Sequence, residues 1–140
     1  QLNGKRLRVT KGTSFGGARL SMSLPEPYLR ARFLPTYLTL VQQLGPQAEQ
    51  IQSSASGLLD IARLAAGRAD AVFVLGIEEQ DLAVGSLLLK EAGALMGSPA
   101  GQPSVDVEGA LMAANPRMFK SLIKQLGPHM QNTPGRREED

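Results

Sequence analysis

Strand-like and helix-like hydrophobic patterns alternate along this chain. Apolar and polar residues alternate over residues 18–24, which predicts a strand with one buried face. Residues 70–77 are apolar almost throughout, which is typical of a central strand covered by helices on both sides. Shorter strands are expected over residues 5–10, 48–54, 94–98 and 109–114.

Four further segments repeat apolar residues with the spacing of a helix. They cover residues 35–44, 57–66, 82–92 and 116–126. Ser56 and Asn115 are expected to cap two of these helices, and Pro35 is placed in the first turn of another. The alternation of strands and helices predicts an α/β fold, layered α/β/α with a mostly parallel or mixed sheet.

Composition narrows the chemistry that the chain can carry. Its 140 residues are enough for one domain with its own core. There is no cysteine and one histidine, His129, which excludes disulfides and thiolate metal sites and argues against a Ser-His-Asp triad. A metal site would have to use oxygen ligands, which suit Mg²⁺, Mn²⁺ or Ca²⁺. The absence of cysteine also fits a cytoplasmic location.

Charge and apolar content argue against two classes of partner. Fifteen lysines and arginines nearly balance thirteen acidic residues, and only 4% of residues are aromatic, so direct binding to nucleic acid is not expected. The chain has no run of 18 apolar residues, so no membrane span is expected. Residues 129–140 are polar and predict a disordered tail after a domain of residues 1–128.

A carboxylate at a strand-to-helix junction is the first candidate for function. Asp81 follows the predicted central strand and precedes the helix at residues 82–92. Open α/β sheets bind ligands at the carboxyl ends of their strands, where such a residue would lie. An Asp in this position could also serve only to cap the helix. The spacing alone leaves both roles open.

Five segments, in a fixed order, carry a resemblance to one enzyme family. They are Asn3–Thr10, Gly17–Pro25, Ser56–Arg68, Asp81–Gly85 and Ala113–Arg117. With these segments the chain resembles the C-terminal half of the inositol monophosphatase family, and is most similar to its bacterial extragenic-suppressor branch. The resemblance implies the C-terminal half of a five-layer αβαβα sugar-phosphatase fold, and a homodimer.

The same resemblance implies a site. Members of the family hydrolyse phosphomonoesters with water bound to Mg²⁺, and Asp81 stands at the position of one metal ligand. Most of the other ligands would come from an N-terminal half, whose motifs this sequence does not contain. The positions expected close to the substrate and its phosphate are Ala55, Ser56, Gly57, Val74 and Gln80.

Three of these positions depart from the family pattern. Val74 replaces a Glu that contacts substrate hydroxyls, and Gln80 replaces the Trp that precedes the metal-ligand Asp. Ala55 replaces a Gly in the loop before the helix, which narrows the space for close backbone approach. Two functions therefore stay open. The chain is half of a Mg²⁺-dependent hydrolase of a small-molecule phosphate ester, or it is a catalytically degenerate scaffold for interaction or dimerisation, for example with transcription antitermination factors. In both cases a second copy or the N-terminal half is expected to cover its apolar faces, and the chain alone is expected to be inactive.

Overall fold

The fold is one mixed sheet between two pairs of helices. The computed structural model describes residues 8–10, 17–54, 56–130 and 133–134. Within these residues the elements, in chain order, are β1 (Arg19–Ser23), α1 (Pro27–Leu44), β2 (Gln50–Ser54), α2 (Gly57–Ala65), β3 (Ala71–Leu75), α3 (Glu79–Ala92), β4 (Leu95–Gly97), β5 (Ala110–Ala114), α4 (Pro116–Leu126) and a 3₁₀ turn (Gly127–His129).

The strand order of the sheet is β2-β1-β3-β5-β4. β1 runs parallel to β2 and β3, whereas β5 runs antiparallel to β3 and β4. Helices α1 and α4 cover one face through residues such as Phe33 and Leu122. Helices α2 and α3 cover the other face through residues such as Ile61 and Leu89. The predicted layered α/β/α fold with a mixed sheet is confirmed, and β3 is buried along its whole length, as its apolar pattern predicts.

Strand β1 carries polar side chains on the face that α2 covers. Leu20 and Met22 lie in the core between the sheet and helices α1 and α4. Ser23 pairs in register with Val74, whose side chain belongs to the opposite core. Because side chains alternate along a strand, Ser23 lies on the α2 face with Val74. A buried hydroxyl therefore sits beside an apolar side chain at the carboxyl ends of two neighbouring strands.

Helix α1 is eight residues longer at its start than predicted. It begins at Pro27, which occupies the first helical position, and Pro35 lies inside the helix. The prediction that Pro35 lies in the first turn is therefore wrong. An internal proline removes one backbone hydrogen bond. Burial of Leu29 and Phe33 before it and of Leu40 after it accounts for the continuous helix.

The predicted ends of the chain are only partly described. Residues 8–10 are not in a strand, and residues 1–7, which hold the rest of the predicted strand over 5–10, lie outside the described residues. In the predicted tail, Met130 is buried against the core under α1 and α4. Residues 131–132 and 135–140 lie outside the described residues.

Local signals place α2 and α4 correctly. The Ser56 hydroxyl accepts a hydrogen bond from the Leu59 N–H at 3.2 Å, and the Asn115 Oδ1 accepts one from the Met118 N–H at 2.9 Å, so both predicted caps are confirmed. Gly85 lets α2 and α3 approach closely, since an added Cβ would lie 2.7 Å from the Cδ1 of Ile61. In the described part of the chain, none of the helices has both the length and the apolar character that crossing a bilayer requires.

Candidate functional site

A small cavity lies where β1 and β3 end and where α2 and α3 begin. Its volume is about 40 Å³. The lining residues come from both strand ends and both helix starts: Ser23, Leu24, Pro25, Glu26, Gly57, Val74, Leu75, Gly76, Ile77, Glu78 and Asp81. This is the edge at which open α/β sheets bind ligands. The volume suits a few water molecules or an ion, but is far below the roughly 300–1,000 Å³ of pockets that enclose small-molecule ligands.

The structure brings three of the six predicted site residues together at this cavity. Gly57, Val74 and Asp81 line the cavity together. Ser56 comes immediately before Gly57 and caps α2. Gln80 is exposed and is not among the lining residues, and Ala55 lies outside the described residues.

Asp81 lies in the first turn of α3, because this helix begins at Glu79 rather than at the predicted residue 82. Glu78 occupies the N-cap position, and its side chain makes no capping hydrogen bond. Among the described residues, no side-chain hydrogen bond involves Asp81 either. The capping role for Asp81 therefore has no support, although the positive end of the helix dipole still favours a carboxylate there. Its carboxylate is left available to the cavity.

Ser23 and Val74 form the wall of the cavity beneath the start of α2. A Cβ added to Gly57 would lie 2.5 Å from the Cγ1 of Val74 and 3.4 Å from the Oγ of Ser23. The Ser23 hydroxyl is buried and has no hydrogen-bond partner among the described residues. Leaving such a group unpaired costs about 1–3 kcal/mol, which favours a bound water or ligand oxygen beside it. The sequence analysis did not identify Ser23 as a site residue. Its position on the face of β1 opposite the apolar residues could have indicated it.

The segment between β3 and α3 is held by a second loop. The N–H groups of Gly76 and Ile77 donate to the Gly109 carbonyl at 2.8 and 3.0 Å, and the Glu108 N–H donates to the Ile77 carbonyl at 2.7 Å. Glu108 has a φ of 62°, which is uncommon for a residue with a side chain. These bonds fix the turn from which α3 and Asp81 start.

Gly76→Ala is expected to destabilise this turn by about 1–3 kcal/mol. Gly76 has a φ of +70°, and its added Cβ would lie 2.6 Å from the Cβ of Pro25. Gly93→Ala is the matched control, since its φ is +83° and nothing lies within 4 Å of the added Cβ. Urea denaturation of both variants measures the difference. An equal loss in both would contradict the close contact with Pro25.

Ionisable groups at the opposite end of the sheet stabilise the fold rather than the cavity. The Arg19 N–H donates to the Asp70 Oδ2 at 2.8 Å, and the Arg19 Nε lies 3.4 Å from the same oxygen. Burial alone would raise the pKa of Asp70, but these hydrogen bonds with Arg19 bring it below its usual value. The stability that Asp70 contributes is thus present above its unfolded pKa and is lost as the pH falls through its folded pKa.

The cavity offers part of a metal site. In the part of the chain that the structure describes, no three His, Cys, Asp or Glu side chains converge on one point. Three carboxylate residues, Glu26, Glu78 and Asp81, line the cavity, and Ser23 supplies a hydroxyl oxygen there. Mg²⁺ in proteins is commonly held by one or two carboxylates with water and phosphate oxygens. The donors present fit such a site in part, because the three carboxylates do not converge on one point.

The sequence as a whole matches the profile of the inositol monophosphatase family over residues 1–131. The chain belongs to this family. Among inositol monophosphatase relatives, the Nus factor SuhB of Pseudomonas aeruginosa is 36% identical over 129 residues, which are 92% of this chain and 48% of the relative. The Nus factor SuhB of Escherichia coli K12 is 32% identical over 126 residues, which are 90% and 46% of the two chains. The chain therefore spans about half the length of these relatives.

Solved structures show that the fold of this chain is shared with inositol monophosphatases and suhB proteins. The extragenic suppressor protein suhB of Bartonella henselae superposes with a TM-score of 0.77 at 23% identity, over 91% of this chain and 48% of that one. The inositol monophosphatase of Anabaena superposes with a TM-score of 0.75 at 22% identity, over 95% and 50%. The predicted family and fold are confirmed, and this chain corresponds to about half of that fold.

Proposed function

We propose that this chain is the C-terminal half of a Mg²⁺-dependent phosphomonoester hydrolase similar to inositol monophosphatase, with Asp81 as one metal ligand. The observation that carries the proposal is the position of Asp81 in the cavity, beside Gly57 and the unpaired hydroxyl of Ser23. Membership of the inositol monophosphatase family supports the reaction class. This chain matches only about half the length of its relatives. The other metal ligands can therefore come from residues that are not in this sequence.

Each residue at the cavity has a role in this proposal. Asp81 provides an anionic oxygen, and the starts of α2 and α3 attract phosphate oxygens through their positive dipole ends. Ser23 donates its free hydroxyl hydrogen to a phosphate oxygen or to an ordered water. Asp81 would help to hold Mg²⁺ at this cavity, and the ion would supply activation of water and neutralisation of the phosphoryl charge. Val74 excludes water from the wall and cannot bind a substrate hydroxyl, so the substrate alcohol is recognised elsewhere.

Hydrolysis by the complete protein is expected to depend on Mg²⁺. Phosphate release from inositol 1-phosphate and from glycerol 2-phosphate should fall roughly 100-fold or more after chelation, since bound metal contributes several kcal/mol to such reactions. Added Mg²⁺ should restore it. Failure of the protein to hydrolyse either ester at any Mg²⁺ concentration would contradict the proposal, as would hydrolysis that survives chelation.

A second candidate is a catalytically degenerate scaffold that acts by interaction or dimerisation. The replacement of the expected Glu by Val74, which is only 4% exposed, and the outward position of Gln80 favour it. Relatives named as Nus factors make transcription antitermination factors the candidate partners. Under this function, Asp81→Ala should leave co-purification of those factors unchanged. Rapid Mg²⁺-dependent turnover of inositol phosphates would count against it.

Both candidates require a partner for the outer surface of α2 and α3. Leu59 and Val84 are each 47% exposed, and Leu87 is 71% exposed. Large exposed apolar side chains on these two packed helices favour an interaction surface there. The N-terminal half of the same fold, or a second copy of the chain, would cover them.

A further inference from the structure

Asp60 and Ser23 are buried polar side chains on the two sides of the interface between α2 and β1. Asp60 lies in the first turn of α2 and is 0% exposed, and Ser23 is the last residue of β1 and is 2% exposed. Both carboxylate oxygens of Asp60 and the hydroxyl of Ser23 lack a hydrogen-bond partner among the described residues. Because buried polar groups in native proteins are almost always hydrogen-bonded, both side chains require a partner.

The position of Gly57 shows that these two groups are neighbours. A Cβ added to Gly57 would lie 3.4 Å from the Oγ of Ser23. Asp60 follows Gly57 by three residues, so both lie on the same face of α2, at a spacing that separates Cβ positions by about 5–6 Å. The Cα–Cβ bond of a helical residue is tilted toward the start of the helix, so that of Asp60 is tilted toward Gly57 and Ser23. One small molecule can therefore span the two groups.

Small residues leave room for such a molecule at this end of the interface. Gly57 has no side chain, and Ser23 pairs in register with Ser54 of β2, so two serines lie side by side on the face beneath α2. The hydroxyl of Ser54 already donates to the Ser56 carbonyl at 3.2 Å. Ser23 and Gly57 also line the cavity of about 40 Å³. Since one water molecule needs roughly 10–15 Å³ of such space, the cavity can hold one beside them.

We propose that one buried water molecule bridges Asp60 and Ser23 and thereby fixes the first turn of α2 to the end of β1. The bridge does not depend on the charge of Asp60. Water donates to a carboxylate or accepts from a neutral acid, and in both cases it has a hydrogen left for the Oγ of Ser23. Ser23 then keeps its own hydrogen for the candidate site. That last consequence rests on the proposed function, whereas the water site does not.

Water suits this place better than a metal ion does. Mg²⁺ and Ca²⁺ take about six or more oxygen ligands. The unpaired oxygens here are the two of Asp60 and the one of Ser23. Across the described ranges, no group of three acidic, histidine or cysteine side chains could hold a metal ion. A buried water molecule needs only about two to four polar partners, which these oxygens supply.

A high-resolution crystal structure of the complete protein tests the water site directly. Density for one water molecule should lie about 2.6–3.2 Å from an Asp60 oxygen and from the Oγ of Ser23. The water should remain in Asp60→Asn, which keeps polar atoms at the same place, and should be lost in Asp60→Leu, which has none. An empty site, a metal ion, a direct bond between Asp60 and Ser23, or another side chain in the place of the water would overturn the proposal.

A double-mutant cycle measures whether the two side chains act through one molecule. Ser23→Ala and Asp60→Leu should each raise the equilibrium constant of unfolding in urea. Together they should raise it about fivefold less than the product of their separate effects, because each alone already breaks the bridge. Asp60→Asn should show little of this effect, since it keeps the bridge.

Thr36→Val is the matched control for the cycle. Thr36 is a buried residue of α1, which covers the opposite face of the sheet. Its effect and that of Asp60→Leu should multiply to within about twofold, as expected for independent sites. A shortfall with Ser23→Ala no larger than that of the control would contradict the bridge. None of these readings uses hydrolysis, so failure of the water site and failure of the phosphatase proposal are distinguishable.

Discussion

Asp81→Asn is expected to remove most phosphomonoester hydrolysis while leaving the fold intact. Asn keeps the shape of the side chain but loses the negative charge that a hard cation prefers. Loss of a metal ligand should lower kcat/KM roughly 100-fold or more, because the metal contributes several kcal/mol to such reactions. Isothermal titration with Mg²⁺ should show weaker binding. Stability should change little, since the loss of a favourable helix-dipole contact is worth about 0.3–1 kcal/mol and no side-chain hydrogen bond within the described residues involves Asp81.

Glu79→Gln is the matched control for this variant. Glu79 lies in the same first turn of α3, is exposed and does not line the cavity. Glu79→Gln removes one negative charge, as Asp81→Asn does, but it changes no residue of the candidate site. Unchanged hydrolysis in Asp81→Asn would remove Asp81 from the metal site and favour the interaction scaffold. An equal loss in both variants would point to a general change in electrostatic field rather than to ligation.

The parts of the fold that were predictable are those specified by neighbours in the sequence. The caps at Ser56 and Asn115 use side chains three residues from the N–H groups that they bind, so the local sequence contains the whole interaction. Strand β3 was recognisable because burial on both faces leaves it apolar throughout. Gly85 lies inside a predicted helix, where a glycine suits close helix packing, and the structure shows this close approach to Ile61.

The parts that were missed depend on contacts between distant residues. The start of α1 was misplaced because Pro35 fits a first turn as well as an internal position, and only burial of Leu29 and Phe33 decides between them. Asp60 has the sequence context of an ordinary polar residue in a helix. Its burial comes from packing of α2 on β1 and β3, which no local pattern contains.

The candidate site shows the same division. The resemblance to the family placed Asp81, Gly57 and Val74 near one another, and the structure brings all three to one cavity. It could not reveal that Ser23 joins them, because Ser23 reaches the cavity through its register with Val74, 51 residues along the chain. It also placed Gln80 close to the substrate, which stays a prediction. In this chain Gln80 is exposed and is not among the residues that line the cavity.

Phe73→Ala is expected to cause the largest loss of stability of any single truncation considered. Phe73 lies in the middle of the central strand β3 and is 0% exposed. Its neighbours in register are Met22 on β1 and Met112 on β5, and all three belong to the core beneath α1 and α4. Truncating a buried Phe usually costs about 3–5 kcal/mol, from lost burial and from the cavity left behind. Flexible methionine side chains can fill part of that cavity, which places the expected loss toward the lower end of the range.

Urea denaturation of the complete protein, compared with Leu95→Ala, measures this loss. Leu95 lies on the edge strand β4 and is 38% exposed, so its truncation should cost less than about 1 kcal/mol. Since whole domains are stable by about 5–15 kcal/mol, the Phe73 variant would lose a large share of its stability. Similar losses in the two variants would mean that the core is not centred on β3. The carboxyl end of β3 carries Val74 and leads into the turn before Asp81, so a core centred there also holds the wall of the candidate site in place.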